Sequence, residues 1–177
     1  TMNPSVQQLV EAAETAASKA VIILPNNGNI VPAAVQAAEY SKKSVKVVPT
    51  RSIPQGVAAA LSFNPDRDVE SLVSEMEEAA GSVRTGEITE AVRSVTLNGV
   101  EVEPGRLIGL LERELVAAGD QLEGVLTSVL QRAALSDGEL VTLYRGGPVT
   151  SHDADAVMQK MHASFPEVDF ELVEGGQ

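Results

Sequence analysis

An α/β fold is predicted, with two small lobes of parallel or mixed sheet joined by a β-rich antiparallel segment. Three observations predict it. Two apolar runs, Ala20 to Leu24 and Val45 to Val48, each turn through a polar corner into an Ala-rich helical pattern, as in an α/β layer. A middle stretch carries short β-branched runs and an Asn98-Gly99 hairpin signal. Beyond it, helix and strand patterns alternate again. The expected divisions are residues 1–82, 83–118 and 119–177.

The elements follow from local chemistry. Asn3 or Ser5 can cap a first helix, with Pro4 tolerated in its opening turn and Val6, Leu9, Val10 and Ala13 at helical spacing. Ala20 to Leu24 lacks polar alternation, so a strand covered on both faces is expected. Asn29 is placed to cap a helix from about Ile30 to Lys42. Ser52 and Gln55 have capping-box spacing for a third helix ending near Phe63. Asn64-Pro65-Asp66 breaks the chain, and a fourth helix runs from about Asp68 to Ala80.

From Val83 the pattern turns β-like. A hairpin is expected to join Val92–Leu97 to Val100–Glu103, followed by strands at Arg106–Leu111 and Glu114–Ala117. Helical periodicity returns from Gln121 to Leu135 and ends at Ser136-Asp137-Gly138. A strand from Leu140 to Tyr144 opens into Gly146-Gly147-Pro148. Thr150 or Ser151 can cap a helix from Asp153 to Ser164, and Val168 to Val173 is the last strand.

Composition narrows the function. The chain has 177 residues, a formal net charge of −12 and 44% hydrophobic residues, enough for a real core. The acidity repels phosphate backbones, and with three Phe, two Tyr and no Trp there are few platforms for stacking bases, which argues against nucleic-acid binding. The absence of cysteine excludes disulfides and thiol chemistry and fits the cytoplasm. No apolar run approaches the roughly 18–20 residues that cross a bilayer, so no membrane insertion is expected. Thr1 to Ser5 does not read as a natural start, and Glu174 to Gln177 stops just after a strand-like run; the chain reads as a piece of a longer protein.

The candidate site lies at the two corners, since parallel α/β folds bind ligands at the carboxyl ends of strands. Asn26, Asn27 and Asn29 offer amide donors and acceptors, and Gly28 permits a left-handed turn. In the second corner Arg51 is a forked donor for an anion, and Thr50, Ser52 and Gln55 add polar groups. Local capping by Asn and a solvated Arg are the simpler alternatives. No Walker pattern, G-x-G-x-x-G or G-x-S-x-G occurs, and His152 and His162 lack metal-ligand spacing, so no catalytic or metal residue is named.

Taken in order, four motifs carry a family resemblance: Thr1-Met2-Asn3-Pro4-Ser5, Leu24-Pro25-Asn26-Asn27-x-Asn29-Ile30, Val48-Pro49-Thr50-Arg51-x-Ile53-Pro54-Gln55-Gly56, and Glu174-Gly175-Gly176-Gln177. They resemble the C-terminal region of the dihydroxyacetone-kinase-like bacterial proteins, also labelled Dak phosphatase, whose members include the ATP-binding subunit of fatty acid kinase. The resemblance covers essentially the whole chain. It implies a two-lobed fold shared with DegV and the dihydroxyacetone-binding kinase subunit. It implies ATP and magnesium in an N-terminal domain outside this chain, none in this chain, and docking here of a separate DegV-type fatty-acid-binding carrier. Asn26, Asn27, Asn29, Thr50, Arg51 and Gln55 are then the expected contact residues. The family commonly has Lys where this chain has Gly28, which removes one positive charge from that surface. The rival expectations are a binding module or Dak-type phosphatase for a phosphorylated or carboxylated metabolite, and a domain that holds a homodimer together.

Overall fold

The computed structural model describes residues 3–98, 100–147 and 149–175. The chain forms an α/β fold in two compact units, one ending at Thr85 and the next beginning at Gly86.

In the first unit, α1 (Val6–Thr15) starts at Ser5, whose hydroxyl accepts from Gln8 N while Gln8 Oε1 accepts from Ser5 N. This reciprocal pairing satisfies two helix-start donors. Strands β1 (Ala20–Ile23) and β2 (Ser44–Val47) pair in parallel, Ala20 beside Ser44 and Ile23 beside Val47. The connecting α2 (Val31–Tyr40) packs on β2, and α1 packs on α2. Helices α3 (Ile53–Leu61) and α4 (Val69–Gly81) pack on one another; with β1 and Val48 they build a core of Val48, Ala59, Leu72, Met76 and Ala80, joined by Ile22 and Leu24. Asp68 caps α4 through Ser71 N.

β1 departs from expectation: all four of its residues are half-buried. Among the described residues β1 has β2 as its one partner, which leaves its other edge without a neighbouring strand to cover it.

The second unit begins with an antiparallel sheet in the order β3 (Gly86–Glu90), β6 (Leu107–Leu111), β7 (Glu114–Gly119). The hairpin β4 (Val95–Leu97) and β5 (Val100–Val102) packs on it through Ala91, Val102 and Ile108. Asn98 takes a left-handed φ of 51°, as the hairpin signal requires; its partner Gly99 lies outside the described residues. The β6–β7 turn places Glu112 and Arg113 at φ of 49° and 72°, a left-handed pair made without Gly or Asn.

Helix α5 (Leu122–Ala133) lies against β6 and β7. Gly109 makes this approach feasible, since a Cβ there would fall 2.4 Å from Val129 Cγ2. A neighbouring face of α5 joins α6 (Ser151–Ser164) and the parallel pair β8 (Leu140–Arg145) and β9 (Asp169–Glu174) around Leu126, Leu130, Val157 and Met161. One helix therefore serves both the antiparallel and the parallel layer. Helix α5 ends at Ala134 in the left-handed conformation (φ 50°), before the expected Ser136-Asp137-Gly138 stop. Thr150, not Ser151, caps α6 through Asp153 N. Pro148, read as part of the glycine corner, lies outside the described residues.

Candidate functional site

Parallel pairing of β1 and β2 brings their carboxyl ends to the same side of the sheet, so both polar corners of the first unit emerge together. The ladder continues past the strands, with Val48 N donating to Ile23 O at 3.1 Å. Thr50 N then donates to Val48 O at 2.7 Å, a tight bend that turns the Thr50 side chain inward.

Thr50 joins the corners. Its hydroxyl accepts from Asn26 N at 3.0 Å and donates to Asn26 Oδ1 at 2.8 Å. Both partners belong to one residue 24 positions away, and the pair is closed on itself. Thr50 is only 1% exposed, the one buried polar residue among those described, and its donor and acceptor are both used. Asn26 holds a left-handed backbone (φ 55°), a conformation Asn tolerates better than most residues.

Helix α3 presses against this lock. A Cβ on buried Gly56 would lie 1.9 Å from Asn26 Oδ1, so glycine is what lets the helix start there. Ser52 caps the helix through Gln55 N at 3.3 Å and also bonds Thr85 Oγ1 at 2.8 Å. The expected capping box is displaced by one residue. Gln55 Oε1 accepts from Arg51 N at 2.8 Å, which fixes the loop that carries Arg51.

The remaining polar groups face outward. Asn27 Oδ1 accepts from Asn29 N at 2.9 Å and Asn27 O accepts from Ile30 N at 2.9 Å, so Asn27 shapes the turn. Asn29 does not cap α2. The N-cap position belongs to buried Ile30, with no side-chain cap bond, because the turn bonds on Asn27 tighten the chain and leave Asn29 one residue early. Arg51 is exposed, and among the described residues its guanidinium meets no acceptor.

The six residues singled out from sequence thus divide by role. Asn26 and Thr50 hold the corners together and point inward; Gln55 and Asn27 shape the loops; Arg51 and exposed Asn29 are left to meet solvent or a partner. The structure adds a neighbour. Ile53, Val57 and Leu61 are 61%, 39% and 83% exposed, and their four-residue spacing places them on one face of α3, beginning two residues after Arg51. That spacing was readable in the sequence; which face of α3 would be buried was not.

Across the described residues no group of three or more His, Cys, Asp or Glu is arranged to hold a metal ion, and no helix is long and apolar enough to cross a membrane. The corner offers a forked cation, amide groups and an adjoining apolar strip. These suit recognition of an acidic, partly apolar protein surface.

Residues 1–177 match the FakA-like C-terminal family, FakA being a fatty acid kinase component. An uncharacterized protein of Staphylococcus haemolyticus (strain JCSC1435) is 35% identical over 177 residues, covering 100% of this chain and 32% of the relative. An uncharacterized protein of Staphylococcus aureus (strain USA300) is 35% identical over 178 residues, with the same two shares. The chain spans about a third of the length of the curated relatives it matches.

Proposed function

This chain belongs to the FakA-like C-terminal family of fatty acid kinase proteins, and from that premise we propose that it is the docking and accessory domain of a fatty-acid-kinase-type protein. It engages a DegV-type fatty-acid-binding carrier in the cytoplasm. The carrier presents the acyl carboxylate to a nucleotide domain elsewhere in the full protein, where ATP and magnesium belong. The described residues here form no acidic cluster fit to hold that magnesium, and no step of phosphoryl transfer is assigned to them.

The observation that carries this proposal is the division of labour at the joined corners. Asn26, Thr50 and Gly56 spend their chemistry on rigidity, which leaves Arg51, Asn29 and the Ile53 end of α3 displayed on a fixed base. A rigid base lowers the entropy cost of binding. An exposed guanidinium beside exposed aliphatic side chains suits a partner surface carrying a carboxylate near an apolar patch.

Calorimetric titration with a lipid-loaded DegV-type carrier from the same organism tests the proposal. Arg51→Ala should weaken binding about tenfold, near 1.4 kcal/mol, and Asn27→Ala should weaken it by less. Unchanged affinity in both variants would remove the corner from the interface. No binding by the full-length protein would turn attention to a metabolite ligand.

A further inference from the structure

Among the described residues β1 pairs only with β2, so its other edge is open. Ile23 accepts from Val48 N and lies in register with Val47, which turns the backbone groups of Val21 and Ile23 toward β2. By alternation, the N–H and C=O groups of Ile22 and Leu24 point to the open edge. Between this strand and helices α3 and α4 lies an open groove of about 600 Å³ whose lining includes Ala20, Ile22, Leu24, Ala60, Leu72 and Met76. The run Ala-Val-Ile-Ile-Leu has no charge or proline within it to discourage pairing.

The position of α1 says what belongs there. It leads directly into β1 and packs on α2, the crossover helix between β1 and β2, so α1 and α2 share a face of the sheet. Parallel β-α-β crossovers are right-handed in nearly all proteins. With α1 on the α2 face, a strand preceding α1 falls on the side of β1 away from β2, at the open edge. The family is a C-terminal region, and this chain is 32% of its relatives' length, so in those proteins chain precedes it.

We propose that in the full protein the segment immediately N-terminal to α1 forms a parallel strand that pairs with the open edge of β1 and fills this groove, completing a three-stranded sheet. Val21 and Ile23 are already paired; Ile22 and Leu24 would gain the new bonds. The groove is then an intrachain seat, which does not depend on carrier docking at the Arg51 corner.

The test compares the 177-residue chain with the same chain extended by about 15 of its native preceding residues, enough for one strand and a turn. Amide exchange at Ile22 and Leu24 should slow by about a hundredfold or more in the extended chain. Exchange at Val21 and Ile23 should change much less. Ala60→Trp, at an exposed position in the groove, should lower the melting temperature of the extended chain and leave that of the shorter chain nearly unchanged. Equal exchange at Ile22 and Leu24 in both chains, or equal effects of Ala60→Trp in both, would overturn the proposal. So would protection in the shorter chain that grows with protein concentration, which would assign the edge to a second copy.

Discussion

Each unit carries a parallel strand pair that runs into a polar corner, yet the corners are built differently. In the first unit an Arg follows the strand by a few residues and is left exposed, because Thr50 and Asn26 hold the corner from within. In the second, Arg145 ends β8 and is consumed by structure: it bonds Glu174 at 2.6 Å and Val149 O at 2.7 Å. Charge divides as sharply. Up to Thr85 there are seven Lys or Arg against nine Asp or Glu, a net of −2; from Gly86 there are six against sixteen, a net of −10, together the −12 of the whole chain. Where an internal hydrogen-bonded lock holds a corner, its arginine is available for recognition. Where arginine is the lock, it is not.

The largest test of this contrast uses one helical glycine from each unit. Gly56→Ala drives a Cβ into Asn26 and should destabilise the protein by about 1–3 kcal/mol. Gly124→Ala, on α5 with no atom within 4 Å of the new Cβ, should stabilise by up to about 1 kcal/mol. Denaturant unfolding of the two variants checks the opposite signs.

Thr50→Val keeps the shape and removes the hydroxyl, leaving Asn26 N and Oδ1 without their partner. A loss of about 1–3 kcal/mol is expected, with the corner loosened and Arg51 no longer fixed. A smaller loss would mean the corners are held by packing alone.

The arginines come next. Arg145→Ala should cost about 1 kcal/mol in stability, since its largely buried side chain gives up two bonds. Arg51→Ala should leave the melting temperature within error and change binding only. The reverse outcome would invert the assignment of roles.

Acid gives the smallest effect. Glu14 clasps the end of α2: its carboxylate accepts from Lys42 N at 2.7 Å and from Ser41 Oγ at 3.0 Å, and these bonds hold its pKa below the ordinary 4.5. A carboxyl depressed in the folded state contributes its stability fully above the unfolded pKa and loses it as pH falls through the folded one. The melting temperature should therefore decline below about pH 4.5, and Glu14→Gln should flatten part of that slope.

Much of the architecture was legible in the sequence, for local reasons. Largely apolar β-type runs marked β1 and β2, and Asn98-Gly99 marked the hairpin. Ser5, Ser52 and Thr150 sat where helix-start donors need an oxygen. The misses also have physical causes. Asn29 lost its capping role to bonds formed by Asn27, and Gln55 reached Arg51 N instead of the cap residue, because one-residue shifts depend on turn geometry that spacing does not fix. The Glu112-Arg113 turn left no signal, since its residues are not those that favour a left-handed backbone.

The candidate residues were found by type, and type does not reveal direction. By itself the sequence determined the α/β class, the strand-to-helix corners and the polar composition of the site, because these depend on residues close together along the chain. Only the tertiary structure decided that Thr50 would close on Asn26, that Gly56 would be required beneath it and that Arg51 would remain exposed. Those outcomes depend on the parallel register of β1 with β2, which brings residues 24 positions apart into hydrogen-bond contact at 3.0 Å.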